Sequence, residues 1–301
     1  MSNETKAQII TMDDCIDKML YDLKNGKEKG TTTYINELDC CWKWRKTEFN
    51  LWTGYQNEGK STFLRYISAI KALEEDWKIL CTCPEDFPAV EFFDDIIHTV
   101  AGQSTDRDNP NRISESLYRK IYERLRYNFI FYYLAPPENS IKTVLKEWEG
   151  LIELYNIDAG IIDPLIKFAR PSGMDKDDQY AVYLTTLLTD FARRKHISLH
   201  LVLHQVTPPR VPNANYPKPS AYSIKGGGSW ADGSDNVLVV WKPNHATDKT
   251  STEVIFASDK IKKQKLTGIP QQLTIKFDRR TNRYVDFKTG KDLYNFDKHF
   301  S

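Results

Sequence analysis

From Glu48 onward, short apolar runs alternate with amphipathic stretches, and the alternation predicts an α/β sheet with helical crossovers. Strands are expected over residues 49–53, 79–83, 129–134, 159–163 and 198–204, then over 237–241, 252–257 and 273–277. Helical periodicity falls between them, at 63–75, 92–101, 114–127, 141–155 and 178–195. The last three strands come without helices, which predicts an antiparallel far edge to a mostly parallel sheet. Ahead of this pattern, residues 12–27 carry Ile16, Met19, Leu20 and Leu23 on one helical face, and Asn25-Gly26 supplies a stop. The organisation read from this is an N-terminal helical arm and linker over 1–45 and a single nucleotide-binding type of domain over 46–301. The arm either packs on its own core or is donated to a neighbouring subunit, with the polar stretch 26–33 as tether.

The chain has 301 residues, 40% hydrophobic and 28% charged, the profile of a soluble globular protein. No apolar segment approaches the roughly 18 residues of a spanning helix, and the start MSNETKAQII has no signal-peptide core. The expectation is a cytosolic protein without membrane contact. Cys15, Cys40, Cys41, Cys81 and Cys83 form no C-x-x-C pair, so they read as reduced and structural. With a net charge of +1, any nucleic-acid contact must come from local basic segments.

The turn GYQNEGKST, Gly54 to Thr62, follows the first predicted strand and precedes the first predicted helix of the sheet region. This is the phosphate-binding pattern G-x-x-x-x-G-K-[ST] in its strand-to-helix setting, and it predicts binding of a nucleoside triphosphate with Mg²⁺. Glycines let backbone N–H groups turn inward around phosphate oxygens, and the helix presents its positive end to the same anion. Gly54, Asn57, Glu58, Gly59, Lys60, Ser61 and Thr62 are the cradle; Lys60 reaches the outer phosphates and Ser61 holds the metal.

Ligands of such sheets gather at the carboxyl ends of the strands. Ala159-Gly160-Ile161-Ile162-Asp163 is an apolar strand closing on an acid, so Asp163 is expected beside Ser61 at Mg²⁺. The strand ending Cys83 runs into Pro84-Glu85-Asp86; Glu85 is the expected general base, with Asp86 as the alternative at the same place. His204 and Gln205 end the next strand and are expected to sense the γ-phosphate. His196, His200 and His204 are four apart, but they fall on a strand without an acidic companion, so no metal role is expected.

The segment 206–230 is rich in proline and ends in Gly226-Gly227-Gly228; it is long enough to imply a task. Arg210, Lys218 and Lys225, interleaved with Tyr216, Tyr222 and Trp230, make it the candidate contact for single-stranded DNA. Nearer the end lie the basic run 259–268 and the charged turn 278–283. Lys263, Lys265, Arg279 and Arg280 are candidates to reach a neighbour's triphosphate as a finger.

In order and content these parts resemble the RecA-like motor domain of hexameric replicative DNA helicases, the bacterial DnaB, mitochondrial Twinkle and phage primase-helicase group, over about residues 30 to 290. GKSTFLR at 59–65, IIDP at 161–164 and KQKLTG at 263–268 carry most of the likeness. The resemblance implies a homo-oligomeric ring, usually of six, with ATP between subunits and single-stranded DNA in a central channel, working in a bacterial or phage-infected cell. It implies Lys60, Glu85, His204, Gln205 and Lys265 as catalytic residues. Two departures stand out. The family's finger is an arginine in K-x-R, whereas Lys263-Gln264-Lys265 stands here, and lysine lacks the planar fork. The segment before the motor, about 45 residues, is too short for the primase or scaffold domain common in the family, so the expectation is either a stand-alone motor or a separate primase or loader as partner. A RecA-like recombinase filament and a nucleotide-gated DNA-binding adaptor are the rival expectations.

Overall fold

The computed structural model describes residues 9–209, 211, 214–224 and 226–300. The phosphate-binding turn separates strand β1 (Phe49–Gly54) from helix α3 (Lys60–Glu75), which follows the short helices α1 (Ile16–Asn25) and α2 (Asn36–Cys41). Then come β2 (Ile79–Thr82), α4 (Val90–Ala101), α5 (Glu115–Leu125), β3 (Phe129–Phe131), α6 (Ile141–Tyr155), β4 (Ala159–Ile162), α7 (Asp177–Lys195) and β5 (Ser198–His204). The chain closes with α8 (Gly228–Gly233), β6 (Asn236–Trp241), β7 (Glu253–Ile261), α9 (Gln264–Thr267), β8 (Gln272–Asp278) and β9 (Arg283–Asp286).

Helix limits follow local chemistry. Ser140 and Ser114 accept from the N–H groups of Thr143 and Leu117 to cap α6 and α5, while Asn156 and His196 end α6 and α7 in the left-handed region at φ 53°.

All strands lie in one nine-stranded sheet of order β3-β2-β4-β5-β1-β6-β7-β8-β9. Strands β1 to β6 run parallel, and β7, β8 and β9 are antiparallel. The expected antiparallel edge is thus present but begins one strand later: β6 pairs parallel with β1, in register Thr53 to Val239. The long connection after β5, ending in α8, returns the chain to the amino edge of the sheet, so β6 enters in the same direction as β1.

Each sheet face has its own core. On one, α3, α4 and α5 bury Phe63, Ile67, Phe92 and Ile121; on the other, α6, α7 and α8 bury Trp148, Leu184, Phe191 and Trp230. Residues assigned to the arm and linker divide in two. Ile35, Leu38, Cys41, Trp42 and Trp44 are fully part of the first core; Trp42 meets Trp52 and His200 edge-on, and Trp44 meets His200. By contrast, α1 leaves Ile16, Met19, Leu20 and Leu23 exposed. His200 is locked in place, its Nδ1 accepting from Trp52 Nε1 at 3.0 Å and its Nε2 bonded to Ser198 at 3.0 Å. No helix among the described residues is long and apolar enough to cross a membrane.

Candidate functional site

Five parallel strands deliver their carboxyl ends to one edge of the sheet, and a cleft of about 360 Å³ opens there. Its lining brings together Asn57 to Thr62 after β1, Glu85 and Asp86 after β2, Asp163 after β4, His204 ending β5 and Lys242 after β6. Register explains the convergence: Gly54 pairs with His204 and Thr82 with Ile162, so each functional residue emerges at the same height.

The turn between β1 and α3 has the shape its sequence demands. Gly59 sits at φ 92° and immediately precedes α3, so the first N–H groups of that helix, which have no intrahelical partner, face the cleft. Gly54 serves differently. At φ 150° it packs so tightly on β6 that an added Cβ would lie 2.0 Å from the Val240 carbonyl oxygen. Gly54 therefore shapes the cradle from below.

Lys60 is buried, and its Nζ donates to the Tyr55 carbonyl at 2.6 Å across the turn. Burial pushes its ammonium down to about 8, against the opposing pull of Asp163, Glu58 and Glu85. Asp163 is buried as well; its carboxyl is raised by that burial and partly restored by a hydrogen bond from Ser61 and by Arg65 and Lys60. Glu58 is buried beneath the turn and pushed to about 7, chiefly by desolvation, although the Lys242 and Tyr55 backbone N–H groups donate to it.

The two acids after β2 are not equivalent. Asp86 is gripped by Arg65, which also reaches Asp95 at 3.1 Å and lies over the Phe92 ring. Glu85 faces the cleft half-exposed, its one ion pair among the described residues being with the half-exposed Lys167 at 3.1 Å. Burial raises the Asp86 carboxyl against the pull of Arg65, but its oxygens are occupied by that guanidinium; Glu85 is the group with room for a water.

His204 and Gln205 also separate, because consecutive residues point to opposite sides of a strand. His204 lines the cleft, is held neutral by burial and by Lys60, and has a buried Nδ1 without a partner among the described residues. Gln205 lies outside the cleft lining: its Nε2 donates to Thr53 Oγ1 at 3.0 Å and to the Ser220 carbonyl at 2.7 Å, joining β1 to the loop after β5. In that loop Arg210 and Lys225 lie outside the described residues. Lys218 is paired with Asp259 at 2.9 Å, sits over Trp241 and stays half-exposed.

The four finger candidates fall on opposite edges. Arg279 and Arg280 follow β8 at the cleft's own edge, with Arg279 donating to the Lys249 carbonyl at 2.8 Å. Lys263 and Lys265 follow β7 at the far edge, where Ile261 pairs with Asn236 at the start of β6. Three cleft residues carry no sequence signal. Lys242 follows a strand whose neighbour only the sheet order reveals, and Phe277 and Tyr284 arrive from β8 and β9, with Tyr284 donating to the Gly59 carbonyl at 3.3 Å.

The donors suit a triphosphate with a hard divalent cation. A helix terminus, a buried lysine and an orphaned histidine nitrogen face the cleft, and the hydroxyl and carboxylate of Ser61 and Asp163 supply oxygen ligands. A pH dependence follows. Phosphates restore the proton to Lys60, so binding takes up a proton where the free lysine has lost one, and ionised Glu58 acts in the same direction. Mg-nucleotide affinity is expected to fall above pH ~8 by up to about tenfold per unit. Titration calorimetry in buffers of different ionisation enthalpy should find little proton uptake near pH ~6 and close to one proton near pH ~9; uptake that is flat across this range would contradict the assignment.

No protein-family model and no curated protein matches this sequence. Solved structures do match in shape. One of them, an ATPase domain, superposes with a TM-score of 0.76 at 13% identity, covering 93% of this chain and 100% of that one. A DnaB-like replicative helicase, described with its interactions with primase, superposes at 0.74 and 13% identity, covering 92% of this chain and 69% of that one. This chain shares its RecA-like fold with both.

Proposed function

We propose that the protein is an ATP-hydrolysing DNA helicase or translocase that works as a head-to-tail ring on single-stranded DNA. The observation that carries this reading is the division of cations between the two sheet edges. Among the described residues lining the cleft the one arginine is Arg65, already bound by Asp86 and Asp95, and Arg279 and Arg280, at the same edge, are not part of that lining, so no unpaired guanidinium lines it for the charge developing at the γ-phosphate. Lys263 and Lys265 lie at the opposite edge. A donor surface and an acceptor surface on different sides of a protomer are what heterologous association uses, and such contacts close into rings or run on as filaments. The exposed apolar face of α1 is a second element available to a neighbour.

In this reading Glu85 takes the proton from the attacking water while His204, neutral, faces the γ-phosphate position. Lys60 and the α3 N–H groups hold the phosphate oxygens in place. Ser61 and Asp163 would hold Mg²⁺, which would supply charge neutralisation on the phosphate oxygens. Gln205 ties the end of β5 to the loop at Ser220, which makes it the relay from His204 to the candidate DNA loop. The structural likeness to a helicase described with primase makes a separate primase or loader the partner to seek.

The test is assembly mass with a non-hydrolysable ATP analogue, with and without single-stranded DNA, alongside turnover. Closed rings with DNA-stimulated hydrolysis are expected. Open filaments would favour a recombinase, and assembly without stimulated turnover an adaptor. Glu85→Gln is expected to lower turnover about a hundredfold or more with nucleotide affinity retained, the usual range for a positioned general base. Asp86→Asn should act instead through Arg65 on stability, and the reverse pattern would reassign the base.

A further inference from the structure

Helix α9, which carries Lys265, is one turn long, and a helix this short does not hold itself in place. Its position is set from outside. The buried Thr267 hydroxyl donates to the Glu48 carboxylate, at 3.2 and 3.3 Å from its two oxygens. On another side Gly30 N–H donates to the Leu266 carbonyl at 2.8 Å and Ile269 N–H to the Cys40 carbonyl at 3.1 Å. Gly268, at φ 139°, lies so close to Cys41 that a Cβ there would meet its carbonyl oxygen at 2.6 Å. Lys265 itself is exposed and has no ion pair among the described residues.

Glu48 is an unusual anchor. It is buried, yet its carboxylate is fully engaged, accepting from Arg45 at 3.0 Å and from Asn236 at 2.9 Å as well as from Thr267. Such a group punishes the loss of any donor, because a buried acceptor left unpaired is poorly solvated. Its backbone runs directly into β1, and β1 ends at Gly54 and the phosphate cradle.

We propose that the Thr267–Glu48 bond positions Lys265 for a neighbouring subunit's nucleotide, so that a single strand, β1, carries the two halves of the composite site at its two ends. This rests on Lys265 being the cation offered in trans. Thr267 is then a positioning residue. A β-branched apolar side chain would fill the same space, so the hydroxyl adds the bond and little else.

The experiment is a double-mutant cycle on kcat at saturating Mg-ATP and single-stranded DNA. Thr267→Val is expected to lower kcat about tenfold with KM for ATP unchanged, since displacement of a reacting group by about 1 Å can cost about a hundredfold. In a Lys265→Ala background the same change should add less than about twofold, the mark of two residues acting as one unit. Thr267→Ser should regain most of the turnover. Melting temperatures check the fold, and if the valine variant does not fold, Thr267→Ala takes its place in the same design. An equal fall in both backgrounds would make Thr267 merely structural and overturn the proposal. So would full turnover in Thr267→Val when Lys265→Ala is impaired. A Lys265→Ala chain with wild-type kcat would instead remove the trans-lysine reading itself, a distinguishable failure.

Discussion

Lys60→Ala is expected to lower ATP turnover about a thousandfold or more while the protein stays folded. Removing one preorganised donor from a developing oxyanion typically costs about a hundred- to a thousandfold, and Lys60 brings a full charge rather than a dipole. Its surroundings raise its worth further. The ammonium is buried, desolvation has already pulled it down to about 8, and the phosphates are the anion that this buried cation lacks. In the free chain its hydrogen bond goes to the Tyr55 carbonyl, a contact within the turn that water can replace when the side chain is cut back. Removing the ammonium relieves one desolvated charge but takes a cation from the buried Asp163 and Glu58, two opposing effects on stability that the melt measures directly. Phosphate release at saturating Mg-ATP, read beside a thermal melt, checks both halves. Turnover within about tenfold of the parent in a chain that melts normally would sink the assignment of the cleft as a hydrolytic site.

The sequence made the cleft legible wherever a short segment contains both the fold signal and the chemistry. The turn 54–62 shows its glycines, lysine and serine together, and Ala159 to Asp163 shows strand and acid in one run. Each needs only local pairing to become a site. What remained hidden depends on which strands lie side by side. Lys242 reaches the cleft because β6 enters beside β1, and Phe277 and Tyr284 reach it because two antiparallel strands fold back along the same edge. None of the three belongs to a motif.

Charge read along the chain could not show the partner of a cation in the loop after β5, for the same reason. Lys218 stands in a stretch with no nearby acid, yet Asp259, distant in sequence, meets it across the fold. The pair His204-Gln205 could not be ranked from sequence, although strand alternation alone assigns them to different sides once β5 is placed. The linker reading likewise failed to see that Trp42 and Trp44 would find the Trp52–His200 pocket, since aromatic residues among polar ones give no period to follow. Residues 31–44 belong to the body of the domain, and the exposed apolar helix α1 is what remains of the arm.

Gly54→Ala is expected to destabilise the fold by about 3 kcal/mol or more, a larger stability effect than at any other position of the phosphate turn. Two costs coincide. A non-glycine residue at φ 150° is held outside its ordinary range, at about 1–3 kcal/mol. The new methyl would also stand 2.0 Å from the Val240 carbonyl oxygen, and overpacking of a tight site adds roughly another 1–3 kcal/mol. The neighbour is backbone in β6, itself paired to β1 and β7, so it cannot swing aside as a side chain could. Gly59→Ala is the contrast: φ is 92°, but the nearest atom to its Cβ would be the Tyr284 hydroxyl at 3.3 Å, a side-chain atom that need shift only slightly, so backbone strain is the main cost. Urea unfolding of the two variants should show the larger loss at Gly54, with Gly59→Ala affecting nucleotide binding more than stability. Equal unfolding midpoints for Gly54→Ala and the parent chain would mean that β1 and β6 do not approach as closely as their register requires, and the cleft built on that approach would have to be redrawn.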